Sequence, residues 1–280
     1  MLKKTGIVLD STSYLDKEYL EKNNIKIVPL SININDEIYE EEFIGEFDEV
    51  YEKIIEYNGM LKTSQPPYGK FLKVYEDLFS EGVDQILTIC FSSGLSGTAN
   101  SASIAANEFS EGKIKVIDTL AAGGVLKYII EEIVEELKET DDLDSIEESI
   151  RTKVEKSSVD LIVMDLEYLK RGGRLTNSQA IIGNLLRVKP IISLIDGKLV
   201  LTEKARGEKR ALQISVDKIE SKGSPRRISV NYAYDDTGAR KAIKELEKRF
   251  PGIEINLDEL GPVIGGHIGP GAFGICTLYK

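Results

Sequence analysis

Apolar positions in this chain fall into short continuous runs separated by stripes of helical period. Thr5–Leu9 is a β-like run that stops at Asp10-Ser11-Thr12, and Ile25–Ile34 is a second, with Pro29 inside it marking an edge or a bend. Val50, Ile54 and Tyr57 predict a helix over Phe47–Tyr57, and Pro67 opens another through Phe79. Val83–Phe91 reads as a strand, Ser92–Thr98 as the opening of a small-residue helix to about Phe109, and Lys113–Asp118 as a short strand. The clearest stripe is Leu126, Ile129, Ile130, Ile133, Val134 and Leu137, one apolar face with acids opposite. Asp141–Ser158 has a charged helical pattern, and Val159–Leu166 starts a new strand.

Ile191–Ile195 and Lys198–Thr202 flank Asp196-Gly197, a strong hairpin signal. A helix over Glu208–Glu220, a strand at Arg227–Tyr232, a helix marked by Ala239, Ala242, Ile243, Leu246 and Phe250, and a strand at Ile253–Leu257 follow. A Gly-rich tail ends in the apolar Phe273–Tyr279. Strand and helix alternate throughout, so the expected class is α/β with mostly parallel sheets. The expected domains are 1–160 and 161–280, two α/β units, since 280 residues suit two domains better than one.

Composition narrows the function. The formal charge of −11 argues against a general nucleic-acid binder and against an anionic membrane surface. No stretch reaches the ~18 apolar residues of a membrane span. The first apolar run is too short for a signal peptide, so a cytoplasmic location is expected. Two cysteines, Cys90 and Cys276, are too few for a disulfide scaffold and read as buried thiols. A single histidine leaves no His-rich metal site, so no metal is expected.

The chain is 30% charged, yet Gln85–Asn107 and Leu260–Tyr279 carry no charged side chain, with His267 counted as neutral. Either each is a buried strand with a close helix contact, or both line a dry pocket offering hydroxyls and backbone N–H groups, which suits an apolar ligand with one polar head. Ser92-Ser93-Gly94-Leu95-Ser96-Gly97-Thr98 follows a strand and opens a helix, where unpaired N–H groups would make an anion seat. It is neither a P-loop nor a Gly-x-Ser-x-Gly elbow. Thr63-Ser64-Gln65-Pro66-Pro67 reads most simply as a helix N-cap. Gly269, Gly271 and Gly274 match Gly-x-Gly-x-x-Gly, but only six residues follow, too few for a dinucleotide-binding unit. His267 stands between glycines and prolines, and its imidazole could donate to a carboxylate or accept from a hydroxyl. Lys170-Arg171-Gly172-Gly173-Arg174 is a basic turn, either solvated or a place for phosphate.

Asp10-Ser11-Thr12, Thr63-Ser64-Gln65-Pro66, the Ser92–Thr98 loop, Asp118-Thr119, Tyr168–Arg174 and the Gly261–Gly271 tail, in this order, resemble the DegV family of bacterial fatty-acid-binding proteins. The departures are Pro67, where a small polar residue is common, and Leu175, where Ile is common. The resemblance implies a two-domain α/β fold with one long-chain fatty acid in a tunnel between the domains. It implies a carrier rather than an enzyme, with no cofactor, serving a separate ATP-dependent fatty acid kinase that phosphorylates the carboxylate of the bound fatty acid for phospholipid synthesis. By resemblance, the carboxylate would meet Thr63, Ser93, His267 and backbone donors near Gly94. Ser92, Ser96 and Gly97 would support the loop, and Arg171 and Arg174 would lie near the mouth for the kinase or its phosphates. Two competing readings are a Ser/His acyl hydrolase, using Ser93 or Ser96 with His267 and Asp10 or Asp118, and a nucleotide- or sugar-phosphate-binding protein seated on Ser92–Thr98.

Overall fold

A computed structural model of the chain describes residues 2–41, 45, 47–57, 61–176 and 188–280. The first sheet has the order β2-β1-β6-β7, built from β1 (Thr5–Asp10), β2 (Ile25–Val28), β6 (Gln85–Cys90) and β7 (Ile114–Asp118), all parallel. Its central strands are apolar without alternation because helices cover both faces. On one side α3 (Tyr68–Ser80) inserts Phe71, Tyr75 and Leu78, and α4 (Thr98–Ala106) presents Ala99, Ala102 and Ala105, small enough for close approach.

The second sheet has the order β10-β9-β8-β13-β11-β12. Its strands are β8 (Ser157–Ile162), β9 (Val188–Ile195), β10 (Lys198–Arg206), β11 (Pro225–Tyr232), β12 (Ile255–Glu259) and β13 (Phe273–Tyr279). The α/β class holds, but the mostly parallel pairing expected of the sheets describes the first sheet and not the second. In the second, only β11 and β12 run parallel; the β9–β10 hairpin and the insertion of the final strand β13 between β8 and β11 make the other pairings antiparallel. The hairpin turns at Asp196 and Gly197, both at positive φ, as the Asp-Gly signal predicts. Helices α8 (Glu208–Lys222) and α9 (Thr237–Arg249) cover one face of this sheet with a separate apolar cluster.

Helix α5 (Gly124–Glu136) packs against β8, β11 and β13, and its side chains share one apolar cluster with Ile7, Leu9, Leu87 and Ile89 of the first sheet. Every residue from Gly124 to Ile130 is buried, which explains the strength of its sequence stripe. Helix α6 (Leu143–Glu155) packs beside it. A buried polar network adds to the joint: Asn231 Oδ1 accepts from the Gly124 N–H at 2.7 Å, and Lys127 Nζ pairs with Asp258 at 2.8 Å.

Three features escape the sequence pattern. Ile25–Ile34 is not one bent strand but two, β2 and β3 (Ser31–Ile34), in different sheets. The second belongs to a small sheet β4-β3-β5 with β4 (Glu37–Glu40) and β5 (Lys62–Ser64). The expected strand Val159–Leu166 ends at Ile162, and Leu166 already opens α7 (Leu166–Gly172). The Gly-rich tail holds a helix, α10 (Pro262–Ile268), with Pro262 in its first turn. Short helices α1 (Lys17–Lys22) and α2 (Asp48–Glu56) complete the order.

Candidate functional site

Thr63 lies in β5, opposite Ile32 of β3, rather than in a helix cap. Helix α3 starts after Pro67 with no side-chain cap, so the turn is not there to cap it. Extended backbone points the Thr63 side chain at the last turn of α10, where Oγ1 lies 2.8 Å from His267 Nε2. His267 is 8% exposed, and burial together with the nearby Arg174 charge lowers its pKa to about 4, so the ring is neutral at neutral pH. Its Nδ1 side lies against Gly172, where a Cβ would overlap the ring. Glycine at the end of α7 therefore allows the imidazole to lie against the backbone.

Thr63 and His267 form part of the wall of an apolar cavity with Leu30, Phe91, Leu95, Ser96, Arg174, Leu199, Val263, Ile264 and Ile268. Its volume is about 40 Å³, against roughly 300–1,000 Å³ for small-molecule pockets in general. A second cavity of about 90 Å³ lies on another side of His267, lined by Ile54, Ile55, Tyr57, Leu61, Tyr168, Arg171, Gly172 and Gly266. The imidazole thus stands between a greasy space and a more polar one that includes Arg171.

The serine loop differs from its expected role. Its backbone donors are already engaged: the Ser93 N–H by Asp118, the Gly94 N–H by Ser92 Oγ, and the Leu95 and Ser96 N–H groups by the Ser92 carbonyl. These bonds, to Asp118 and to Ser92, fold the loop as a tight turn with no free donor at Gly94. Ser92 is fully buried and its Oγ donates to the Gly197 carbonyl at 2.6 Å, tying the loop to the β9–β10 turn. Ser93 is exposed and outside the cavity wall, whereas Ser96 is in it, hydrogen-bonded to Thr98 at 3.0 Å. Gly97 lies under the Gln65 side chain, which donates to Ser101 at 2.8 Å. Sequence reading passed over Gln65; its only signal was its place in the Thr63–Pro66 motif.

Arg171 lies in the last turn of α7, and Arg174 follows the left-handed Gly173. Arg174 donates to the carbonyls of Leu95 at 3.3 Å and Gly172 at 2.6 Å. Among the described residues no carboxylate pairs with it, so a half-buried cation shares the cavity with Thr63 and His267. Arg174 therefore adds a cation to a wall whose other polar side chains, Thr63, Ser96 and His267, are uncharged.

Asp10 and Asp118 are committed elsewhere. Asp10 accepts from the Thr12 N–H and hydroxyl and from the Phe91 N–H, and Asp118 from the Ser93 and Leu120 N–H groups. Both hold loops at strand ends, and neither is hydrogen-bonded to His267. Among the described residues no group of three or more His, Cys, Asp or Glu is arranged to hold a metal, and no helix is long and apolar enough to cross a membrane.

The family model described as uncharacterised protein, DegV family, matches residues 4–280. The chain belongs to the DegV family. Protein DegV of Bacillus subtilis strain 168 is 36% identical to this DegV chain over 282 residues, covering 98% of this chain and 99% of the relative. A DegV domain-containing protein of Listeria monocytogenes is 33% identical, with 100% of both chains covered. Among solved structures, a fatty-acid-binding DegV family protein from Thermus thermophilus superposes with TM-score 0.89 at 32% identity, covering 99% of this chain and 100% of that one. The crystal structure of DegV from Bacillus subtilis, described as a fatty acid binding protein, gives 0.87 at 33% identity, with 99% and 100% covered.

Proposed function

We propose that this chain is a cytoplasmic carrier that binds one long-chain fatty acid, with its carboxylate at Thr63 and His267 and its tail in the adjoining apolar space. The observation that carries the reading is the Thr63–His267 pair, 2.8 Å apart, in the wall of a cavity otherwise lined mainly by aliphatic and aromatic side chains. A neutral imidazole and a hydroxyl orient a carboxylate, and the Arg174 guanidinium supplies attraction without a competing acid among the described residues. In this proposal Ser93, exposed and outside the cavity wall, approaches the carboxylate only once the walls part to admit the chain.

Burying about fifteen methylenes contributes on the order of 12 kcal/mol gross, much of it offset by ordering the chain and losing translation. Tail burial thus supplies affinity and the head site supplies orientation. A long chain needs more room than about 40 Å³, so the apolar walls must part to admit it. In the same proposal, an ATP-dependent fatty acid kinase phosphorylates the presented carboxylate, with Arg171 and Arg174 facing the incoming phosphate. The described fatty-acid-binding relatives support the lipid half of this reading.

The hydrolase alternative lacks an acid for its histidine, since Asp10 and Asp118 hold loop N–H groups. The phosphate-seat alternative finds the Ser93 to Ser96 N–H groups already engaged. Mass spectrometry of the organic extract from purified protein tests the proposal: one fatty acid per chain is expected. The double variant Ser93→Ala/His267→Ala should fold and bind oleate at least tenfold more weakly; unchanged affinity would refute the head site.

A further inference from the structure

We propose that Glu41 is a positioning residue for the carboxylate site, gripping the first turn of α10 so that His267, in its last turn, stays opposite Thr63. The proposal rests on the carboxylate reading above. Glu41 directly follows β4 and is 3% exposed. Its own N–H donates to the Leu30 carbonyl at 2.9 Å, which fixes its backbone against the segment leading into β3. Its Oε2 accepts from the Val263 N–H at 2.6 Å, and its Oε1 accepts from Ser11 Oγ at 3.3 Å. Ser11 Oγ in turn accepts from the Leu30 N–H at 3.2 Å. Gly261, just before α10, leaves the room: a Cβ there would overlap the Glu41 carboxyl.

The small sheet therefore holds α10 at both ends, through Glu41 at Val263 and through Thr63 at His267. A helix of seven residues is roughly 10 Å long and behaves as a rod over that length, so loosening one end displaces the other. The groups facing the Glu41 carboxyl are Asp10 from the end of β1, Tyr14 from the turn that follows, and Tyr51 from α2. None is a cation. Desolvation by burial, with a smaller push from Asp10, raises the pKa of Glu41 to about 8. At neutral pH the group is a carboxylic acid, which can accept from Val263 without needing a counter-ion. Ionisation would tighten this grip rather than release it, since the Val263 N–H, the Ser11 hydroxyl and Tyr14 all favour the carboxylate.

The test compares wild type, Glu41→Gln and Glu41→Ala by oleate affinity and by the imidazole nitrogen resonances from pH 6 to 9.5. His267 is the only histidine, so its signals stand alone. Glu41→Gln keeps a neutral acceptor and should bind within about twofold of wild type at pH 7. Glu41→Ala should lose tenfold or more at pH 7, and its imidazole should begin to protonate at pH 6, where the wild-type ring stays neutral.

If the alanine variant does not fold, Glu41→Met, which fills the same space without an acceptor for the Val263 N–H, carries the test with the same expected losses. An alanine or methionine variant with unchanged affinity and imidazole signals overturns the proposal. A different result marks failure of the carboxylate reading: His267→Ala binds oleate normally while Glu41→Ala still shifts the imidazole signals. That outcome leaves the placement of His267 standing and removes its link to the ligand.

Discussion

His267 and the two arginines near it are separated in role by a few ångströms of backbone. Arg174 bonds two carbonyls and shares the wall with His267, whereas Arg171 opens on the other cavity. Charge reversal should therefore split the two. Under the proposed carrier role, Arg171→Glu should leave oleate affinity within about twofold while blocking acyl-phosphate formation by the proposed kinase. Arg174→Glu should weaken both, the lipid by at least about tenfold, in keeping with charge-assisted hydrogen bonds worth roughly 1.5–3 kcal/mol. Titration calorimetry and a coupled kinase assay read the two effects. His267 also leaves a pH signature. Its pKa falls from 6.5 to about 4 on folding, so between those values the unfolded chain binds more protons and stability rises with pH. Relative to His267→Gln, wild type should gain stability from pH 5 to 6.5 and stay level above, by at most about 3 kcal/mol, in urea unfolding curves.

At the scale of elements, α10 is the segment whose character the chain most disguises. Five glycines and two prolines within Gly261–Gly271 argue for a loop, and Gly is a poor helix former. The packing reverses the argument. A Cβ at Gly265 would overlap the Tyr51 hydroxyl, which donates to the Leu260 carbonyl at 2.6 Å, and one at Gly266 would overlap Leu61. The glycines let α10 sit directly on its neighbours. Gly265→Ala, a change that raises helix propensity by about 1 kcal/mol, is therefore expected to destabilise by roughly 1–3 kcal/mol through overpacking. It should also lower oleate affinity by displacing His267. Thermal unfolding and calorimetry check both; a variant more stable than wild type would contradict this account. The strand signals around the β9–β10 hairpin were legible because Asp-Gly fixes the turn locally, whereas β4 and β5 were not. Those two strands are short and half-exposed, and they exist because β3 pairs with both.

Across the whole molecule, the two large sheets are joined by α5 rather than divided by a linker. One apolar cluster contains Leu9 and Ile89 of the first sheet together with Val159 and Leu278 of the second, and Asn231 fastens the start of α5. Asn231→Ala would leave the buried Gly124 N–H without its acceptor and is expected to cost about 1–3 kcal/mol. Unfolding should nonetheless remain a single transition, with far-ultraviolet circular dichroism and tyrosine fluorescence coinciding. Two separated transitions would show that the halves fold independently.

Local patterns in the chain determined the helix and strand alternation, the long buried helix, the turn at Asp196-Gly197 and the candidate His267, because periodicity, turn chemistry and charge-poor segments act over a few residues; Thr63 read locally as a helix cap and became a candidate only through the family resemblance. The tertiary structure alone decided that the Ser93 to Ser96 N–H groups are engaged by Asp118 and Ser92, that β13 enters the middle of a mostly antiparallel sheet, that Arg174 shares a cavity wall with Thr63 and His267, and that Glu41 meets α10. Those outcomes depend on which distant segments meet. A hydrogen bond between Glu41 and Val263, 222 positions apart, is fixed by packing and leaves no trace in either neighbourhood.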